Sequence, residues 1–173
     1  MNKEFEKQLE QTLNNIYNDA IKAYQSITKY VIEIGIIDES KTNRKVKIKV
    51  KTNDGITNAE LMFIHENGSK LKNIPARPVL QMTIDYAKTT LLPSVLDKIA
   101  DGCFNKHWTE IEVKEELEKT CVRLQSYARK LIYSNDGSLV ANAPSTIKKK
   151  GDNHPLFDTG QLARSITCQL VKQ

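Results

Sequence analysis

Ala143-Pro144-Ser145-Thr146-Ile147-Lys148-Lys149-Lys150-Gly151 is followed, three residues later, by Pro155-Leu156-Phe157-Asp158-Thr159-Gly160-Gln161-Leu162 and then by Arg164-Ser165-Ile166. Two short helical turns are written here, each with its own start or stop signal. Gly151 ends the first, because without a Cβ it enters the left-handed region at little cost. Asp158 is placed to cap the second, its carboxylate accepting the orphan N–H groups of a helix start. Gln161 lies three residues on, as in a capping box, and Phe157 and Leu162 are spaced as a hydrophobic staple. Beyond the turn, Ile166, Cys168 and Leu170 alternate with Ser165, Thr167 and Gln169, which predicts a closing strand. On its own the stretch is a well-capped turn entering a strand, and none of its residues is a catalytic signature.

Working back from this end, Ile111, Val113, Leu117, Cys121, Leu124, Ala128, Leu131 and Ile132 recur at helical spacing and predict a helix to about Tyr133. Thr109 with Glu112 forms its capping box, flanked by Trp108 and Val113 as a staple. Asn135-Asp136-Gly137 is a turn, and a mobile stretch is expected between it and the capped block. Val79, Met82, Ile84, Tyr86, Leu91, Leu92, Val95, Leu96 and Ile99 predict a helix from Pro78 to about residue 101. Pro93 kinks or restarts it, and Gly102 ends it. Thr57 and Glu60 make a further capping box, with Ile56 and Leu61 as its staple, opening a short helix that Asn67-Gly68 closes. Pro75-Ala76-Arg77-Pro78 holds the chain extended before the next helix.

The first third has a different rhythm. Phe5, Leu9, Leu13, Ile16, Ala20, Tyr24 and Ile27 predict an amphipathic helix over residues 3–28, about 35–40 Å long. It either packs on the domain's own sheet, the reading favoured here, or projects to a neighbour. Ile32, Ile34 and Ile36, and after a polar loop Val46, Ile48 and Val50, alternate at period two and predict a hairpin. Asn53-Asp54-Gly55 closes its second strand with turn chemistry. Lys45, Lys47, Lys49 and Lys51 are either a basic stripe facing nucleic acid or a solvated face guarding a strand edge. The predicted class is α+β: a small antiparallel sheet, made of the early hairpin and the C-terminal strand, packed against several helices.

The 173 residues fit a single domain over 1–173 with a real core. Hydrophobic residues make up 39% and charged residues 27%, the mean hydropathy is −0.48, and the net charge is +5 with a pI near 9.0. No apolar run approaches the ~20 residues of a membrane span, and Met1-Asn2-Lys3-Glu4-Phe5 lacks an apolar signal core, so a protein made and used in a cytoplasm is expected. Cys103, Cys121 and Cys168 form no CxxC pair and are expected to be thiols. Cys103 and His107 are four apart, but two ligands do not make a zinc site; no metal and no cofactor are expected. His65-Glu66 lacks the remainder of any HExxH pattern and reads as a positioned surface pair.

Two blocks carry a resemblance. Ile64-His65-Glu66-Asn67-Gly68 with Ile74-Pro75-Ala76-Arg77-Pro78-Val79-Leu80, and then the Pro144–Ile166 block, occur in the same order in the virion-morphogenesis proteins of tailed bacteriophages. Those carry similar "hE-x-G … iPARPfl" and "PSTI–KKG–PL–DTG–L–SI" words. With the scaffold between them the blocks cover most of residues 57–171; the N-terminal helix and first hairpin match in character only. The resemblance implies a structural neck or tail-completion protein in a ring, often hexameric, around the DNA channel at the head–tail junction of a virion. Its partners would be further copies, other neck proteins, the portal or connector, and the tail tube or tail terminator, with possible non-specific contact with genomic DNA and no membrane.

Candidate interface residues are Arg77, Glu66 and Asp158. Arg77, presented rigidly between two prolines, pairs either with a carboxylate on a neighbour or within its own chain. The loop at 67–77 and the segment 135–160 are the candidate ring contacts. Lys148, Lys149 and Lys150, of which at least two must face solvent, either meet DNA phosphates or a partner or are a solubilising face. A non-specific nucleic-acid-binding module is the alternative function; the low aromatic content of 6% argues against base readout. An enzyme is not expected, since no Gly-rich phosphate loop or GxSxG word is present.

Overall fold

A computed structural model describes residues 3–37 and 56–173. The elements run α1 (Lys3–Gln25), a 3-10 turn (Ser26–Lys29), β1 (Tyr30–Gly35), α2 (Asn58–Asn67), α3 (Val79–Tyr86), a π-helical turn (Ala87–Leu91), α4 (Leu92–Asn105), α5 (Glu110–Tyr133), α6 (Pro144–Lys150), α7 (Gln161–Ser165) and β2 (Thr167–Lys172). The protein is α+β and mostly helical, and among the described residues the sheet is two-stranded and antiparallel. The C-terminal strand pairs with the first strand, as the alternation at each end predicts. Gln173 N–H donates to the Lys29 carbonyl, and the Gln169 amide donates to Glu33 at 2.9 Å. The predicted second hairpin strand, with its lysine row and Asn53-Asp54-Gly55 turn, lies outside the described residues.

The chain divides into two compact units: Met1–Glu33 with Lys88–Cys121 and Gln169–Gln173, and Ile34–Ala87 with Val122–Cys168. Among the described residues, every arginine falls in the second unit, whereas the first holds more Asp and Glu than Lys.

In the first unit, Val95, Ile99 and Cys103 of α4 and Val113 and Leu117 of α5 are buried at spacings of three and four. Glu116 is buried in the same register, and its carboxylate takes an ion pair from Lys98 at 2.7 Å. The Thr109–Glu112 capping box forms as the sequence predicts: the Thr109 N–H and hydroxyl both donate to Glu112. Pro93 is absorbed by the preceding π turn. A proline lacks the N–H for an α-helical bond and its ring clashes one turn back, so the coil widens and α4 restarts with Pro93 in its first turn.

Gly102 does not end α4, contrary to the sequence expectation. The helix runs on to Asn105, and His107, at φ 57°, takes the left-handed position. Gly102 is there for close approach: a Cβ on it would lie 2.3 Å from the Trp108 ring, and its carbonyl accepts the Trp108 N–H at 3.0 Å.

α1 departs further from expectation. Residues 3–19 are all exposed, and burial begins only at Ala20 and Ala23. The expectation that α1 packs its stripe on the domain's own sheet is therefore wrong for its first four turns. Near its C-terminal end, Tyr17 and Tyr24 approach Phe104 of α4 with ring centroids 6.2 and 6.1 Å apart.

In the second unit, Met62, Val79, Ala128, Leu131, Ile132, Leu139, Leu162, Ala163 and Ile166 form one buried cluster. Apolar side chains from α2, α3, α5 and α7 and from the 134–143 loop thus share a core. Leu139 contradicts the expected mobile stretch, because its side chain is part of that core. Tyr86 and Tyr127 stack beside it at 4.0 Å.

Candidate functional site

The two sequence blocks meet in the second unit, and their polar residues do the joining. α2 starts at Thr57, whose hydroxyl accepts from the Glu60 N–H while the Thr57 N–H donates to Glu60 Oε2 at 2.8 Å. These bonds hold the Glu60 carboxyl below its usual range. The helix therefore ends with His65 and Glu66 facing the next segment. Gly68, at φ 71°, turns the chain where a Cβ would strike the backbone of Ile74 and Ala76 at 2.9 Å. Ser69 and Ile74 then exchange backbone hydrogen bonds of 2.8 and 2.9 Å, closing a tight turn.

Glu66 caps α3 from outside. Its two oxygens accept the Leu80 N–H at 3.0 Å and the Gln81 N–H at 2.7 Å. Both are orphan donors of a first helical turn, and the negative charge suits that end of the helix. Glu66 is thus committed within the chain.

Arg77 is also turned inward, only 4% exposed. Its backbone N–H donates to the His65 carbonyl at 2.6 Å. Its guanidinium donates from Nε to the Val140 carbonyl at 2.6 Å and from Nη2 to the Ala141 carbonyl at 2.9 Å. A further nitrogen, Nη1, lies 3.4 Å from His65 Nδ1. Because arginine only donates, this nitrogen of His65 acts as acceptor. Burial, and then the Arg77 charge, push the His65 pKa down to about 4. The expected carboxylate on a neighbour is therefore replaced by main-chain carbonyls of the same chain. The fixed fork of a guanidinium suits two adjacent carbonyls that the loop cannot otherwise satisfy.

The C-terminal block is pinned in the same way. Lys150, the last residue of α6, donates to the His154 carbonyl at 3.1 Å and to the Phe157 carbonyl. His154 Nε2 lies 2.6 Å from the Ile132 carbonyl, and its ring stacks on Phe157 at 4.5 Å. Gly151 ends α6 in the left-handed conformation as predicted, its N–H donating to the Ile147 carbonyl at 2.7 Å. Of the three lysines, Lys148 and Lys149 are exposed and Lys150 is used internally.

Asp158 is not a cap. α7 begins after Gly160, which sits at φ 74°, and no side chain caps it. The reversal at Gly160 delays the helix by two residues, so the Asp158 carboxylate stands outside reach of its first N–H groups. Asp158 is exposed. Gln161 is consequently the first helical residue, and no capping box forms.

Sequence reasoning missed the carbonyl-binding role of Arg77, whose partners lie 63 and 64 residues away. It also missed buried Glu116. A signal for the latter exists: an acid placed three residues after Val113 and four before Thr120 lies on the apolar face of α5.

Elsewhere, a cleft of about 760 Å³ in the first unit is lined by Ala20, Ala23, Cys103, His107, Trp108 and Glu110, among others. Burial, and then the charge of Glu112, raise the Cys103 pKa, which makes the thiol a poor nucleophile. Among the described residues no group of three or more His, Cys, Asp or Glu is placed to hold a metal ion, and no helix is long and apolar enough to cross a membrane. Comparison of this chain with protein-family models, with curated proteins and with solved structures finds no match.

Proposed function

We propose that this chain is a structural protein of a tailed-phage virion, a neck or tail-completion component that forms a ring, hexameric in the reading favoured here, around the DNA channel. The observation that carries the reading is the convergence of the two resembling blocks. Val79 from the first and Leu162, Ala163 and Ile166 from the second share one core. Their polar words have scaffold roles: Glu66 caps α3, Arg77 holds the 140–141 carbonyls, and Lys150 holds the turn at 154–157. Residues used in this way preserve a fold, which is what a resemblance between two distant blocks requires. In this reading the chain catalyses nothing and takes no cofactor, and its partners are further copies and the neighbouring neck, portal and tail components.

The reading is tested by mass spectrometry and cryo-EM of purified particles from the host that carries the gene. The chain is expected in mature virions, at the head–tail junction. Its absence from purified particles overturns the proposal.

Non-specific nucleic-acid contact is the second reading, favoured by exposed Lys148 and Lys149 in the unit that holds Arg77, Arg123, Arg129 and Arg164. Binding of this kind falls steeply with salt, because each neutralised phosphate releases counterions. It is compatible with a place at a DNA channel.

A further inference from the structure

α1 carries an apolar stripe whose first three turns no described residue buries. Phe5 is 58% exposed, Leu9 50% and Leu13 58%, and Ile16 and Tyr17 continue the row. Residues 3–15, about 20 Å of helix, are exposed throughout, and packing begins at Tyr17, whose ring approaches Phe104. A single helix of that length is marginal in water unless its apolar face is buried. The stripe exposes roughly 500 Å² of apolar surface, near the upper end of what a monomer leaves bare. At 100° per residue, Glu6 and Glu10 lie along one flank of it. Both are exposed, and neither makes an ion pair among the described residues.

The same chain carries a surface of the opposite pattern. In the turn that Ser69 and Ile74 close, Leu71 is 99% exposed and stands between Lys70 and Lys72, both exposed. A further bond closes the turn: the Asn73 N–H donates to the Lys70 carbonyl at 3.2 Å, and Asn73 sits at φ 52°. Phe63 on α2, just before it, is likewise exposed. An apolar row edged by carboxylates and an apolar tip edged by ammonium groups are complementary in shape class and in charge.

We infer that the exposed stripe of α1 docks on the Phe63–Lys72 surface of a second copy of this chain. Each copy holds both halves, so the contact is head-to-tail and repeats; it closes into a ring or runs on as a filament according to its rotation. The combined apolar areas and their charged flanks amount to roughly 1,000 Å², the lower edge of a specific interface. Association is therefore expected to be weak, in the micromolar range or above, and salt-sensitive. The inference rests on the assembly reading only in taking the partner to be another copy; it needs no virion and is tested without one.

The test is sedimentation equilibrium of the full chain over a concentration series at low and high salt. Wild type is expected to gain mass with concentration, less so at high salt. Leu9→Asp should abolish this from the helix side, and Leu71→Asp from the turn side. Mixing the two variants leaves one working joint and should give a dimer and nothing larger. All the altered side chains are exposed, and circular dichroism checks that the fold is kept. As a second readout, a Leu9→Cys chain mixed with a Leu71→Cys chain should form a disulfide heterodimer on mild oxidation that neither forms alone. Wild type that stays monomeric at all concentrations overturns the inference, as does association lost with Leu9→Asp but unchanged in Leu71→Asp, which would place another partner on α1. Failure here leaves the virion assignment to its own test on particles, and a chain absent from virions can still self-associate in this way.

Discussion

Arg77 Nε lies 2.6 Å from the carbonyl of Val140, although 63 residues of chain separate the two. With the 2.9 Å bond to Ala141, this contact ties the entry to α3 to the loop after α5. Arg77→Ala leaves two carbonyls without a donor in a site water reaches poorly, and is expected to cost about 2–4 kcal/mol. Arg77→Lys should recover only part of this, because one ammonium cannot reproduce the fork. Denaturant unfolding gives the cost, and amide exchange should show lost protection around Leu139–Asn142 before the rest of the unit. Equal stability of all three proteins would remove Arg77 from its structural role.

His65 makes the same junction sensitive to acid. Its folded pKa of about 4 is below the ordinary 6.5, so the unfolded chain binds the extra proton between those values. Stability from this group is present in full above pH 6.5 and is lost as the pH falls towards 4. His65→Gln should flatten the slope of stability between pH 7 and 4.5. A variant with the wild-type slope would assign the acid sensitivity to other groups.

Gly102 offers a steric prediction. Ala at this position is the better helix former, yet its methyl group would lie inside contact distance of the Trp108 ring. The clash should win over the propensity gain of ~1 kcal/mol, leaving Gly102→Ala less stable by about 1–3 kcal/mol. Tryptophan fluorescence, reported by the chain's single indole, should shift with it. A stabilised variant with unchanged emission would show that Trp108 moves aside freely.

What could be read from the sequence was local. The boxes at Thr57–Glu60 and Thr109–Glu112 form because a cap and its partner are three residues apart, and the pattern contains the whole interaction. Gly151 and Gly68 follow for the same reason. Gly102 was misread because a glycine near a helix end looks the same whether it stops the helix or admits a ring from the next turn. The fate of the α1 stripe was not legible either: amphipathicity says that a face needs cover, not which molecule supplies it. The partners of Arg77 carry no periodic signal linking them to it.

Asp158 marks the limit of even local patterns. Asp-x-x-Gln spells a cap, but the left-handed Gly160 between the two moves the helix start. Asp158→Ala should therefore change stability by less than ~0.5 kcal/mol, as an exposed substitution away from any special contact does. Thermal unfolding checks this, and a loss of a full kcal/mol would restore the side-chain cap.

The lysine run separates structure from function within three residues. Lys150 holds the carbonyls of His154 and Phe157, so Lys150→Gln is expected to cost about 1–3 kcal/mol by leaving those acceptors under-satisfied. Lys148 and Lys149 are exposed, and the double change to Gln keeps length and helix propensity nearly intact. Its effect on unfolding should be negligible. If the pair meets DNA phosphates or a neighbouring ring, particle yield and genome retention should fall in that double variant while the purified protein stays as stable as wild type. DNA binding by the purified chain should weaken too, with a shallower dependence on salt, because fewer counterions are released. Wild-type yield, retention and salt dependence in the double variant would make the pair a solubilising face and leave Lys150 as the one lysine of the run with a defined role.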